Sequence, residues 1–168
     1  MRKAKISGSK DAVKVRGFFR VNIVENAKSG EVKVVGDSGW LKNQVVNLGF
    51  QDYLCQTLAG MAGSKTISHI ALGTGTAPGA TATSLDGEIM SSTQRKTVSP
   101  STVASKTIQF TAAFNSADSF LTASANLSNV GLFNTTATNG TLFSGNTYAS
   151  SACATNQSVN VTYQIRFS

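Results

Sequence analysis

Asp86 and Glu88 form the closest pair of carboxylates in the last two thirds of the chain. Paired carboxylates act as general acid and base in glycoside hydrolysis, and they also ligate hard cations such as Ca²⁺. Neither the histidine nor a third acidic residue lies near them in sequence. Because a catalytic or metal site needs several convergent groups, we expect this pair to form neither, and we expect no metal and no cofactor.

A glycine-rich stretch, Gly73–Gly79, has the composition of a phosphate-binding loop, in which backbone N–H groups approach an anion. Its spacing is G-x-G-x-x-x-G, Pro78 removes one donor, and no Lys-Ser/Thr pair follows. The pattern therefore predicts an ordinary loop after a strand.

Ser68 and His69 are adjacent, but side chains of strand neighbours point to opposite faces, so we expect no catalytic triad there. Cys55 and Cys153 lie about a hundred residues apart, with no other cysteine or histidine near either. We expect buried free thiols, since the chain shows no secretion signal, although the spacing leaves a disulfide open. We predict that the protein is not an enzyme.

The net charge of +7 is concentrated near the N-terminus, since residues 1–42 carry +6 and residues 43–168 carry +1. Cations on one segment sum their attraction to a polyanion, so this region is predicted to bind an acidic protein neighbour. The candidate partner-binding residues are Arg2, Lys3, Lys5, Lys10, Lys14 and Arg16. A solvated leader is the alternative, and nucleic-acid binding is disfavoured because only Phe18 and Phe19 interleave with these charges.

The remaining pattern predicts one domain at residues 12–168 preceded by an extended basic N-terminal arm at residues 1–11. No apolar run long enough for a membrane span is present, so we expect no membrane association. The Ser7-Gly8-Ser9 stretch favours an extended chain within the arm.

Alternation of apolar and polar residues predicts mostly β-strands. Residues 12–36 have the pattern of a hairpin, in which Gly17 is placed at a bulge, and Trp40–Val46 continues the sheet. One helix is predicted at Asn47–Met61, where apolar residues recur every three to four positions. Further strands are predicted at Thr66–Leu72, Gln94–Val98, Thr107–Phe114, Asn126–Phe133, Thr141–Tyr148 and Ser158–Phe167. The predicted fold is mainly β, an antiparallel β-sandwich with one helix packed on it.

Several short motifs occur in a fixed order along residues 13–167. They are Asn43-x-Val45-Val46-Asn47-x-Gly49, the run Ile70–Pro78, Leu85-x-x-Glu88, Gly131-Leu132-Phe133, Leu142-Phe143 and Tyr163-x-Ile165-x-Phe167. In this order the chain resembles small virion structural proteins of tailed bacteriophages. The resemblance implies a non-enzymatic β-rich subunit, made in the host cytoplasm and repeated in the particle, on the capsid, the neck or the tail.

The expected partners are further copies of the chain, as a homo-oligomer, and other virion proteins of the capsid or tail. The alternative function is a receptor- or carbohydrate-binding module of a tail fibre or capsid surface, with Trp40 or the loop at Tyr148 as the stacking platform. The structural interpretation of Trp40, under which it binds no ligand, is a hydrophobic anchor where a strand meets the helix.

Overall fold

The computed structural model describes residues 13–26, 31–89 and 95–168, and most regular structure in these ranges is β-strand. The predicted β class is therefore confirmed. The strands are β1 (Val15–Asn26), β2 (Val32–Asp37), β3 (Leu41–Val45), β4 (His69–Gly73), β5 (Lys96–Thr97), β6 (Ser99–Ala104), β7 (Thr107–Phe114), β8 (Ala125–Phe133), β9 (Leu142–Cys153) and β10 (Ser158–Phe167).

All strand pairings in the described ranges are antiparallel, in the order β5-β4-β8-β9-β3-β1-β10-β7-β6, with β2 beside β1. Only Val98 separates β5 from β6, so the two ends of this order meet. The strands thus form one nearly closed, barrel-like sheet. The antiparallel β content of the predicted sandwich is confirmed. Its division into two separate sheets is not, because β3 pairs with both β1 and β9 and so joins the two halves.

Strands with one buried face match their predicted bounds best. β7 and β10 begin and end at the predicted residues, and Val159, Val161 and Tyr163 of β10 are buried as their alternation indicates. β6 is absent from the prediction because all six of its residues are exposed and Pro100 interrupts the pattern. Pro100 is tolerated since β6 pairs only with β7 among the described strands.

The core is centred on aromatic side chains from the first and last strands. Phe19 of β1 stacks on Tyr163 of β10 with ring centroids 5.7 Å apart, and its ring meets the edge of Tyr148 at 6.1 Å. Fully burying a large apolar side chain contributes about 1.5–3 kcal/mol. Pairing of the first and last strands therefore stabilises the whole sheet.

The predicted hairpin at residues 12–36 corresponds to β1 and β2, but its bulge is not at Gly17. The register of β1 against β10 and β3 is continuous there, and the irregularity lies between Ile23 and Val24 opposite β2. At Gly17 a Cβ atom would collide with the side chain of Asn43. The glycine thus allows the Asn43 side chain of β3 to lie close against β1.

The predicted helix at Asn47–Met61 is shorter and differently wound than its sequence pattern indicates. It consists of a π-helical segment, Gly49–Cys55, followed by one α-helical turn, Gln56–Leu58. No side-chain bond caps its start, whereas Gly60 after its end has the left-handed φ of 61° that a helix stop favours.

The wider π-helical turn changes which apolar side chains face the sheet. Tyr53 is buried, donates its hydroxyl hydrogen bond to the carbonyl of Thr141 and meets the Phe143 ring at 5.1 Å. Three other apolar residues of the predicted helix are exposed: Phe50 at 43%, Met61 at 55% and Leu58 at 89%. The predicted packing of the helix on the sheet therefore holds for Tyr53 and is wrong for these three residues.

Candidate interaction surface

Asp86 and Glu88 bind different partners and do not act as a carboxylate pair. Asp86 accepts hydrogen bonds from the backbone N–H and the hydroxyl of Thr76, both at 2.9 Å, and these bonds lower the pKa of Asp86. Glu88 instead pairs with buried Arg95 at 2.7 Å. Both acidic side chains hold loops together.

The glycine-rich loop uses its backbone donors within the protein. Thr74 and Gly75 donate their N–H groups to the carbonyls of Gly87 and Asp86, at 3.0 and 3.2 Å. A Cβ atom at Gly75 would collide with Asp86. The glycines therefore permit close packing of two loops, and these N–H groups do not face an open anion site.

Ser68 and His69 do touch, which corrects the expectation that their side chains point apart. Ser68 precedes β4, so the alternation of a strand does not govern it, and its Oγ lies 2.7 Å from His69 Nδ1. The hydroxyl also donates to the carbonyl of Asn134 at 2.7 Å. The other ring nitrogen lies 3.5 Å from the Thr97 hydroxyl, so in the described structure no carboxylate orients this imidazole as a triad requires.

Both cysteines are free thiols, but their environments differ. Cys153 is buried, as expected, and burial raises its pKa to about 11. Cys55 is exposed, so the expectation of a buried thiol is wrong for this residue.

Within the described residues, four cations form ion pairs with carboxylates. These pairs are Arg20–Asp37, Lys65–Asp52, Arg95–Glu88 and Lys96–Asp118. Lys33 lies opposite Glu25 in the register of β1 and β2. Five other cations are exposed, and within the described residues they neither form an ion pair with Asp or Glu nor lie opposite an acidic residue in a strand pair. They are Lys14, Arg16, Lys42, Lys106 and Arg166.

These five cations, which we call the basic face, come together through strand pairing. Arg16 of β1 lies directly opposite Arg166 of β10, and Lys42 of β3 lies opposite Phe18 of β1. Lys14 exchanges two backbone hydrogen bonds with Ser168, and the Lys106 carbonyl accepts from Phe167 N–H. The beginning of the chain, its end and two internal strand ends thereby contribute to one surface.

The guanidinium of Arg166 has a defined position on this surface. It lies 4.3 Å from the centre of the Phe18 ring, and its Nε and Nη2 donate to Gln164 Oε1 at 3.2 and 2.7 Å. Gln164 in turn donates to Gln109 at 2.9 Å. Aromatic contact and side-chain hydrogen bonds therefore hold the charge in place before any partner binds.

Two of the six predicted partner-binding residues, Lys14 and Arg16, belong to the basic face, where they are paired with the last strand of the sheet and are not part of an extended arm. Arg2, Lys3, Lys5 and Lys10 lie outside the described residues. Sequence reasoning missed Lys42, Lys106 and Arg166. For Arg166 a signal existed, because alternation along β10 places it on the polar face, but the pairing of β10 with β1 was not deducible.

A second surface is apolar and lies beside the helix. A groove of about 310 Å³ is lined by Leu54, Thr57, Ile67, Ile108, Phe110 and Phe167, among others. The exposed helix residues Leu58 and Met61 follow Leu54 in the chain. We call this region the apolar groove. Lys65 lies near this groove and forms an ion pair with Asp52.

The two predicted stacking platforms differ in access. Tyr148 is buried against Phe19 and has no open ring face. Trp40 is 45% exposed between β2 and β3, so it is not the buried anchor of the structural interpretation.

Comparison of the chain with protein-family models, curated proteins and solved structures finds no match. Within the described ranges, no helix has the length and apolar character needed to cross a bilayer. The same ranges contain no group of three or more His, Cys, Asp or Glu side chains placed to hold a metal ion.

Proposed function

We propose that this protein is a non-enzymatic structural subunit of a bacteriophage virion that assembles in multiple copies on the capsid or tail. The ordered motifs that resemble virion structural proteins support the proposal. The observation that carries it is the apolar groove with exposed Leu58 beside it, because apolar grooves open to solvent are places where proteins contact one another.

The occupant proposed for the apolar groove is a second copy of the chain. In a two-fold dimer the same patch of each copy meets the other, so the proposed contact places Leu58 of each copy against the groove of its partner. Copies of a protein with charge +7 repel each other, and the groove side is a favourable place for contact because its ion pair is neutral. Phe167 faces the groove whereas Arg166, its neighbour in β10, belongs to the basic face.

The mass of the purified protein in solution tests self-association. We expect a concentration-dependent oligomer by sedimentation equilibrium, and a largely monomeric Leu58→Ser variant. Val103→Ser is the matched control, since Val103 is an exposed apolar residue on β6 outside the groove lining. A wild-type monomer, or equal dissociation of both variants, contradicts assembly through the groove.

The copy number in purified particles tests the virion assignment. Hundreds of copies per particle indicate a capsid lattice, and about six or twelve indicate the neck or tail, because those structures have cyclic symmetry. Absence of the protein from purified particles contradicts the proposal.

The arm at residues 1–11 belongs to this proposal as an attachment segment. An extended segment has backbone groups that a neighbour's sheet edge can pair, and Lys3, Lys5 and Lys10 can meet carboxylates there. Deleting residues 2–11 should leave the melting temperature almost unchanged and lower incorporation into particles. Incorporation at the wild-type level would identify the segment as a solvated leader.

Exposed Trp40 supports the alternative function, binding of a receptor or carbohydrate, through stacking of a sugar ring on the indole. Under this alternative Trp40→Ala abolishes binding to cell-surface glycans on an array, whereas Tyr148→Phe, which changes a buried ring, leaves it intact. A wild-type protein that retains no glycan contradicts the alternative.

A further inference from the structure

We propose that the basic face binds an extended acidic segment of a partner protein through its carboxylates. The inference rests on the proposed function in one respect, since the partner in a particle is a neighbouring virion protein. The site differs from both the apolar groove and the arm.

The first argument is the imbalance of charge. All five cations of the basic face are exposed, and within the described residues none of their side chains forms an ion pair with Asp or Glu. Arg16 and Arg166 are directly opposite each other, an arrangement in which like charges destabilise an antiparallel pair. A bound carboxylate between them removes this repulsion.

The second argument is the chemistry of the guanidinium groups. An arginine presents planar N–H donors in a fork that matches the two oxygens of a carboxylate. Gln164 binds Nε and Nη2 of Arg166 on one side, which leaves Nη1 directed away from that amide. Because Arg166 is already held over Phe18, less side-chain entropy is lost when a ligand binds.

The third argument separates an acidic protein segment from a nucleic acid. Single-stranded nucleic acids bind through aromatic rings on which bases stack. Of the aromatic residues near the basic face, Phe18 is already covered by the Arg166 guanidinium, and Trp40, exposed two residues before Lys42, is a single ring, whereas stacking of successive bases uses several. Lys42 and Arg166 lie on the two strands that flank β1, about 10 Å apart across the sheet and offset by two residues along it, a separation that about four residues of an extended peptide span.

The experiment measures binding of a fluorescent peptide of about twelve residues with Glu at every second position, by anisotropy with the full-length protein. We expect saturable binding at low salt that weakens strongly at about 0.5 M salt, because screening shortens the reach of exposed charges. Arg16→Gln combined with Arg166→Gln should weaken binding at least tenfold. Arg166→Lys should weaken it less, since the charge stays but the fork is lost.

Arg20→Gln is the matched control, because Arg20 lies on the same strand but is paired with Asp37. It should leave the dissociation constant unchanged. A second comparison changes Lys3, Lys5 and Lys10 to Gln, and should weaken binding less than the Arg16/Arg166 double substitution. Circular dichroism verifies that each variant is folded.

Three outcomes overturn the inference. The first is that Arg20→Gln weakens peptide binding as much as the Arg16/Arg166 double substitution does. The second is that substitution of Lys3, Lys5 and Lys10 alone abolishes binding, and the third is that a single-stranded or duplex oligonucleotide binds more tightly than the peptide. Absence of peptide binding also overturns it. None of these results bears on the copy number in particles, so failure of this inference is distinguishable from failure of the proposed function.

Discussion

Arg95 donates two hydrogen bonds to Glu88, from Nε at 2.7 Å and from Nη2 at 3.1 Å, while its guanidinium lies 3.5 Å from the centre of the Phe133 ring. Arg95 is only 3% exposed. Its Nη1 donates to the carbonyls of Thr135 and Ala137 in the connection between β8 and β9. One buried ion pair thus links three separate segments of the chain.

Removing the acidic member of this pair should destabilise the protein strongly. Glu88→Gln leaves the buried guanidinium without a counter-charge, and we expect a loss of about 3 kcal/mol in the free energy of unfolding, measured by urea titration. Asp86→Asn is the control and should cause a much smaller loss, because Asp86 is exposed. Replacing both partners, Glu88→Leu with Arg95→Met, should recover most of the stability. Equal losses for Glu88→Gln and Asp86→Asn would contradict the role of the pair.

His69 should make stability depend on pH between about 7 and 5. Burial, together with the charge of Arg95, lowers the pKa of His69. The unfolded state therefore binds a proton more readily than the folded state, and the free energy of unfolding falls as the pH drops below about 6.5. In the His69→Gln variant this decrease should be smaller, because the substituted side chain does not titrate.

Melting temperatures of wild type and His69→Gln across this range provide the measurement. Below about pH 4 both proteins should lose stability in parallel. There the Arg20 bond that lowers the pKa of Asp37 to about 2 is lost as the carboxylate is protonated. Identical pH profiles from 7 to 5 would exclude His69 as the source.

Gly49 should tolerate no side chain, although alanine ordinarily favours a helix by about 1 kcal/mol. A Cβ atom there would collide with the backbone carbonyl oxygen of Phe143, which cannot move without disturbing β9. We expect Gly49→Ala to lower the free energy of unfolding by about 2 kcal/mol. Gly79→Ala is the control, since a Cβ atom at Gly79 meets nothing within 4 Å. A neutral Gly49→Ala would show that this contact relaxes freely.

The two thiols should react at different rates with a thiol reagent. Cys55 is exposed and should react at once, whereas Cys153 is buried with a pKa of about 11 and should react only after unfolding. Absorbance with Ellman's reagent should therefore show one fast equivalent in native protein and two in denaturant. Cys55→Ser should remove the fast phase, and a fast phase that survives this substitution would contradict the structure.

The alternation of apolar and polar residues was sufficient to predict the strands that have one face in the core. In β10, Val159, Tyr163 and Ile165 alternate with polar residues, so both the strand and its buried face follow from adjacent positions. The helix was located but its packing was not, because the π-helical segment changes the spacing of apolar side chains before Leu58, and the helix ends before Met61.

By itself, the sequence determined the β class, the concentration of positive charge near the N-terminus and the candidate residues Lys14 and Arg16. Only the tertiary structure decided that Arg166, about 150 residues later, joins them, and that Glu88 is bound by Arg95. The physical reason is that hydrophobic alternation is encoded between neighbouring residues, whereas the register of β1 against β10 depends on how the whole core closes.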